Sequence, residues 1–306
     1  MNVSDGHRLL LNRKISMKKI LIILLVITLL IVIGIALVGY FISGDRRSGG
    51  DNQIGLVNIK GVIIDARETV TQLGKMAGDP GIKGIIIRIN SPGGAVAPSQ
   101  EIYDEIKRVT KIKPIYSSLG TVAASGGYYV ACGSQQIYAN PGTLTGSIGV
   151  IMQFTNWKKV LDKIGVGSEV IKSGTHKDIG SPLRPMSAEE KALLQEMIND
   201  VYNQFVVVVT ENRDIPMDKL LPLADGRVFS GRQALEYGLV DKLGSLQQAI
   251  RDLARKVGIT GKPEVVEKKE KRGLLWYVLG ESLSSKLNSA LECETPVAAY
   301  LMPMGN

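Results

Sequence analysis

Residues 81–96 read GIKGIIIRINSPGGAV, and the fold follows from how this stretch is read. Gly81–Asn90 is a short β-branched run bounded by glycine and asparagine, the pattern of a buried strand. Ile89–Val96 ends that strand and starts a helix. Pro92 fixes its own φ, and Gly93-Gly94 expose backbone N–H groups at the turn. An extended peptide can pair with such an edge. A phosphate cradle is one rival reading, but the lysine of the Walker pattern is missing. A plain tight turn is the other.

Working outward, Ile54–Ile63 (IGLVNIKGVI) reads as a second buried strand. Residues 99–111 (SQEIYDEIKRVTK) are helical, with Ile102, Ile106 and Val109 on one face. Residues 113–120 (KPIYSSLG) form a further strand, and the stretch opened by Ser125 is helical through about Ala131. GSIGVIMQF (146–154) and GSEVIKSG (167–174) have strand character. A long helix begins in residues 186–213, where Ser187 followed by Glu190 makes a capping box. SGRQALEYG (230–238) again places Ser before a helix and Gly after it. Strands alternating with helices specify an α/β fold with a largely parallel sheet. No internal repeat is visible.

The chain has 306 residues, enough for one large domain or two small ones. Its formal net charge is +8, but much of the excess lies at the extreme N-terminus, which weakens a nucleic-acid reading. The two cysteines, Cys132 and Cys293, make neither a disulfide framework nor a CxxC motif. His7 and His176 are the only histidines and lie far apart in sequence, so no metal site is expected.

Residues 20–42 carry no charge. At about 1.5 Å per residue a helix of that length spans a bilayer core of roughly 30 Å. A cleaved signal peptide has a shorter apolar core and a small-x-small cleavage site, and GYFISGDRR lacks the A-x-A pattern. The expectation is an uncleaved single-pass transmembrane anchor. Arg8, Arg13, Lys14, Lys18 and Lys19 precede it, whereas Arg46 and Arg47 after it are offset by Asp45 and Asp51. That asymmetry puts residues 1–19 in the cytoplasm and everything from about Gly44 outside the cell membrane. Residues 43–53 read as a linker. Beyond residue 262, KPEVVEKKEKR reads as a solvated connector. Leu275, Leu279, Leu283, Leu287 and Leu291 then make one apolar helical stripe, suited to its own domain, a neighbouring subunit or a membrane surface.

Gly120–Gly133 reads GTVAASGGYYVACG, with Ser125 wedged between small residues and two glycines. A hydroxyl at a helix start has unpaired N–H groups beside it, and these can stabilise a developing oxyanion. The bland alternative is that Ser125 merely caps the helix. A serine nucleophile needs a base. His7 lies on the cytoplasmic side, leaving His176, a lysine or an acid. SGTHKDIGSP holds His176, Lys177 and Asp178 together. On an extended segment neighbours point to opposite faces, so His176 and Lys177 do not both easily reach one serine. A lysine serves as base only when desolvated or near other cations, and a surface-exposed Lys177 is the plain alternative. Spacing alone does not decide between them.

INSPGGAV, TVAASGGYYVA, PGTLTGSIGV, KSGTHKDIGSPLRPMS and the later DGRVFSGRQALEYGLVDKLG together resemble the signal peptide peptidase A family, in its short bacterial form. The resemblance covers roughly Ile54–Gly258. It implies a Clp protease/crotonase-like fold with repeated strand-strand-helix units over residues 54–261, preceded by the anchor and followed by the connector, amphipathic helix and tail of 262–306. It implies a membrane-bound serine endopeptidase with a Ser-Lys dyad, Ser125 as nucleophile and Lys177 as general base. Gly94 and Gly126 would supply oxyanion N–H groups, and Ser147 would orient the lysine. Expected partners are apolar peptide substrates such as remnant signal peptides, the membrane, and further copies in a ring-like homo-oligomer. No cofactor, metal or nucleic acid is implied. A crotonase-like enzyme acting on an acyl-CoA would leave Ser125 without a role, and a non-catalytic scaffold built on the leucine stripe would be indifferent to Ser125→Ala. The last residues, ETPVAAYLMPMGN (294–306), resemble such a substrate themselves and are expected to reach the groove beside Ser125, the alternative being a disordered terminus.

Overall fold

The β-branched runs form the centre of a sheet. The computed structural model describes residues 17–44, 52–267 and 299–301. The leucine stripe, the basic residues 8–14 and most of the tail lie outside the described residues. The chain divides into two compact units, Met1–Gly49 and Gly50–Asn306. In the first, helix α1 (Met17–Gly44) extends past both ends of the expected anchor. Its described side chains, residues 20–34, are exposed. Those residues alone are shorter than the roughly 20 a span requires. Among the described residues no helix is long and apolar enough to cross a membrane.

The second unit runs β1 (Gln53–Lys60), α2 (Arg67–Ala77), β2 (Ile82–Ser91), β3 (Gly93–Ala95), α3 (Val96–Thr110), β4 (Ile115–Ala124), α4 (Gly126–Ala131), β5 (Gln136–Ala139) and β6 (Leu144–Gly146). It continues through α5 (Lys158–Lys163), α6 (Ala188–Arg213), α7 (Met217–Leu220), β7 (Val228–Ser230), α8 (Gly231–Glu236), β8 (Lys242–Leu243), α9 (Leu246–Lys256), β9 (Glu264–Val266) and β10 (Ala299–Leu301). The main sheet has the order β7-β6-β4-β2-β1-β9. β4 divides its edge: Tyr116–Ser118 pair with β5, and Val122–Ala124 pair with β6. Its ladders are parallel except β6–β7.

Both faces of this parallel sheet are covered, which is why β2 is almost continuously apolar. Val57, Ile85, Ile87, Ile89 and Leu119 share one core with Leu73 and Met76 of α2, Ile102 and Ile106 of α3, and Phe205 and Val209 of α6. On the other face Ile54, Leu56, Ile86, Tyr116 and Tyr138 pack with Ala249, Ile250 and Leu253 of α9. The two serine-led helices start as expected, with reciprocal capping boxes at Ser187–Glu190 and Ser230–Gln233.

Two strand expectations fail. GSIGVIMQF supplies only the last residue of β6, and GSEVIKSG forms no strand. Residues 149–189 instead make an arm in which no residue is buried. Val160, Ile164, Val166, Val170 and Ile171 are exposed, and β propensity without a partner does not make a ladder. The connector also differs: its Glu264–Val266 pairs in parallel with Gln53–Gly55 as the sheet's last strand, β9.

Candidate active site

The carboxyl ends of β2, β4 and β6 converge on Ser125. Ile89 and Ser91 of β2 pair with β4 across a register shift. The Asn90 side chain fills this irregularity, its Oδ1 accepting from the N–H groups of Thr121 (3.0 Å) and Val122 (3.2 Å). β4 ends at Ala124, and the N–H of the next residue, Ser125, donates to Gly146 O at 2.8 Å. Ser125 sits immediately before α4 with φ 54° and ψ −120°. A non-glycine residue held there stores about 1–3 kcal/mol of strain. The plain capping role is excluded, because the Ser125 side chain makes no cap hydrogen bond. Its Oγ is buried and has no hydrogen-bond partner among the described residues. A strained strand-to-helix turn that carries a serine is the geometry of a nucleophile elbow.

Gly126 opens α4, where first-turn N–H groups have no intrahelical acceptor. Gly127 lies against the turn before β3: a Cβ there would stand 2.9 Å from Ser91 O. β3 uses only one of its edges within the body of the fold. Ile63 N–H donates to Gly93 O at 2.9 Å, and Ala95 N–H donates to Ile63 O at 2.8 Å. Strand alternation therefore turns the N–H and C=O of Gly94 to the opposite edge. That edge is paired antiparallel with β10, Tyr300 facing Gly94. An extended peptide does bind there, and it is the chain's own tail.

Ser147 follows Gly146, is buried, and has φ 51°. Its N–H donates to Arg227 O at 2.8 Å. Ser125, Gly126, Gly94 and Ser147 thus belong to one group of adjoining turns. Among the described residues Lys177 does not join them by a hydrogen bond to Ser125 Oγ. It is exposed on a turn in the arm.

That turn corrects the extended-segment argument for His176 and Lys177. The segment is folded, with Lys177 N–H donating to Gly174 O, Ile179 N–H to His176 O and Ser181 N–H to Asp178 O. His176 is half-buried, with Nε2 3.7 Å from Glu189 Oε1 and Nδ1 without a partner among the described residues. Arg184 is absent from the expected site residues. Its Nε and Nη2 donate to the two carboxylate oxygens of Asp178, both at 2.8 Å, and its Nη1 donates to Glu190 Oε2 at 2.8 Å. Arg184 and Lys172 hold the Asp178 carboxyl well below the usual range. Arg184, with the Ser187 N–H, holds Glu190 at about 2. Burial pushes the Cys132 thiol up to about 12, so it is no thiolate nucleophile at neutral pH.

Comparison with known proteins identifies the family. The sequence profile of Peptidase family S49 matches residues 107–260, and that of Clp protease matches residues 62–144. The chain is 42% identical over 216 residues to "Putative protease slr0021" of Synechocystis, covering 70% of this chain and 77% of that one. It is 36% identical over 242 residues to "Putative signal peptide peptidase SppA" of Enterococcus faecium, covering 74% and 70%. It is 35% identical over 206 residues to "Serine protease SPPA, chloroplastic" of Arabidopsis thaliana, covering 67% of this chain and 30% of that one. With a Clp protease-like α/β domain and relatives of this kind, the chain belongs to peptidase family S49 and is a serine peptidase.

Proposed function

We propose that this serine peptidase is a membrane-anchored endopeptidase that works by a Ser-Lys dyad on extended apolar peptides, chiefly remnant signal peptides. The observation that carries the reading is the unbonded, strained Ser125 hydroxyl at the start of α4, beside a strand edge that already takes a peptide. Lys177 takes the Ser125 proton as Oγ attacks the peptide carbonyl. The N–H groups of Gly94 and Gly126 stabilise the tetrahedral oxyanion. The leaving amine receives the proton from Lys177, and an acyl-enzyme remains on Ser125. Lys177 then activates water, which releases the second product. Ser147 orients the lysine ammonium.

The base comes from a neighbouring copy. Lys177 stands exposed on an arm without buried residues, and Ser125 Oγ has no partner among the described residues. Trp157, Val160, Ile164 and Ile171 of the same arm are exposed, and Ile171 fully so. Burying them between copies in a ring-like homo-oligomer removes an apolar surface a monomer seldom keeps. The uncharged residues 20–42 of α1 anchor the chain in the cell membrane, with residues 1–19 cytoplasmic and the peptidase domain outside.

The test is hydrolysis of an apolar signal-like peptide by wild type, Ser125→Ala, Lys177→Ala and His176→Ala, with fluorophosphonate labelling of each. Ser125→Ala loses labelling and turnover. Lys177→Ala loses nearly all turnover in a folded protein, and His176→Ala keeps a substantial fraction. Loss with His176→Ala and retention with Lys177→Ala would overturn the dyad.

A further inference from the structure

We propose that Arg184 is a positioning residue for the peptidase reaction: its guanidinium ties the turn that bears Lys177, through Asp178, to the buried Glu190 at the start of α6. The inference rests on Lys177 being the general base. No residue between 149 and 189 is buried: the Phe154 ring lies against Gly180, but none of the side chains around Lys177 is buried in the core. Glu190, 3% exposed, is the first buried residue after the arm. It is also held twice at the helix start: Ser187 N–H donates to its Oε2 at 2.8 Å, and its own N–H donates to Ser187 Oγ at 3.1 Å. Arg184 reaches from this fixed point to Asp178, the residue after Lys177, and grips both carboxylate oxygens. A planar fork shared between two carboxylates fixes orientation as well as distance.

Further bonds complete the brace. Lys172 Nζ donates to Asp178 Oδ1 at 2.5 Å and to Thr175 O at 2.7 Å, closing the turn from its other side. Asn156 Nδ2 donates to Arg184 O at 2.7 Å, and Trp157 N–H donates to Pro182 O at 2.7 Å, joining the two limbs of the arm. Asp178 is therefore engaged by Arg184 and Lys172, and Lys177 forms no ion pair among the described residues. The arm presents this ammonium outward, where a misplacement of about 1 Å costs on the order of a hundredfold in rate.

The test is steady-state kinetics on the full-length protein with Arg184→Gln, Asp178→Asn and the double variant, alongside Lys177→Ala and thermal unfolding of each. Each single variant should lower kcat at least tenfold while KM stays within about twofold. The double variant should be no slower than the worse single one, because both break the same link. A merely structural role would lower the unfolding temperature and leave kcat of the folded enzyme unchanged. If Arg184→Gln fails to fold, Asp178→Asn carries the test, since it leaves the Arg184–Glu190 pair in place. Wild-type kcat in a folded Arg184→Gln, or independent losses that multiply in the double variant, would overturn the proposal while Lys177→Ala remains inactive. An active Lys177→Ala would instead remove the base on which the proposal stands, and the proposal with it.

Discussion

Gly94 has no room for a methyl group: a Cβ there would stand 2.0 Å from Ile63 O and 2.5 Å from Ile63 N. Both are backbone atoms of the segment that pairs with β3, so neither yields without breaking the pairing. Gly94→Ala should destabilise the fold by about 1–3 kcal/mol, the usual range for overpacking. It should also displace the N–H that faces the peptide edge, lowering kcat by about a hundredfold if that N–H is an oxyanion donor. Thermal unfolding and kcat on a short peptide check the two effects separately, and an unchanged kcat would remove Gly94 from the oxyanion hole. At this scale the sequence is informative where chemistry is scarce. Ser125 stands out because little around it reacts, and Gly94 because the turn exposes its N–H. Asn90 and Ser147 are less legible. Asn90 matters through a register shift between β2 and β4, and Ser147 through Arg227, 80 residues away in the chain. Such pairings depend on non-local contacts that spacing does not encode.

Helix α6 begins on a carboxylate that must stay ionised. Glu190 is held at about 2 by Arg184 and the Ser187 N–H, against 4.5 for the free group. Its folded pKa is depressed, so its contribution to stability is present above the unfolded value and is lost as pH falls from about 4.5 toward 2. Stability should therefore fall through that window, and Glu190→Gln should be less stable at neutral pH with a shallower acid dependence. Denaturant unfolding at a series of pH values measures this; parallel curves for the two proteins would contradict it. The helix start itself is readable, because a capping box is local. The strands β1, β2 and β4 are readable for a related reason: both sheet faces are buried, so their apolar runs are long. The arm is not readable. Val166, Val170 and Ile171 have strand chemistry, but no strand edge lies beside them, and they are exposed. α2 is equally hidden, since its buried positions Gln72, Leu73, Met76 and Ala77 fall only in its second half. β9 lies in a charge-rich stretch and forms because the edge of β1 is open to it.

Across the whole chain, the last described residues return to the turn from which the fold is read. Ala299–Leu301 run antiparallel to Gly93–Ala95, in register Ala299–Ala95, Tyr300–Gly94 and Leu301–Gly93. Tyr300 therefore faces the Gly94 N–H and C=O, the groups an extended substrate needs in order to add itself as a strand. Residues 294–306 also include the small or apolar Val297, Ala298 and Met302. A segment tethered to the protein competes at an effective concentration of about millimolar when its linker spans the gap. If the tail competes for this edge, a free peptide must displace it before reaching Ser125. Deleting residues 294–306 should lower the apparent KM for a short apolar peptide several-fold and leave kcat nearly unchanged, because the catalytic groups are untouched. Stability should change little, since a three-residue strand adds few contacts to the sheet. Mass spectrometry of the intact wild-type protein should show trimming of the tail that Ser125→Ala abolishes, because a strand docked beside the nucleophile is also a substrate. Unchanged kinetics after deletion, together with an untrimmed tail, would mean that β10 occupies the edge without competing for it. A tail that is trimmed but whose deletion leaves KM unchanged would be a substrate too weakly held to regulate.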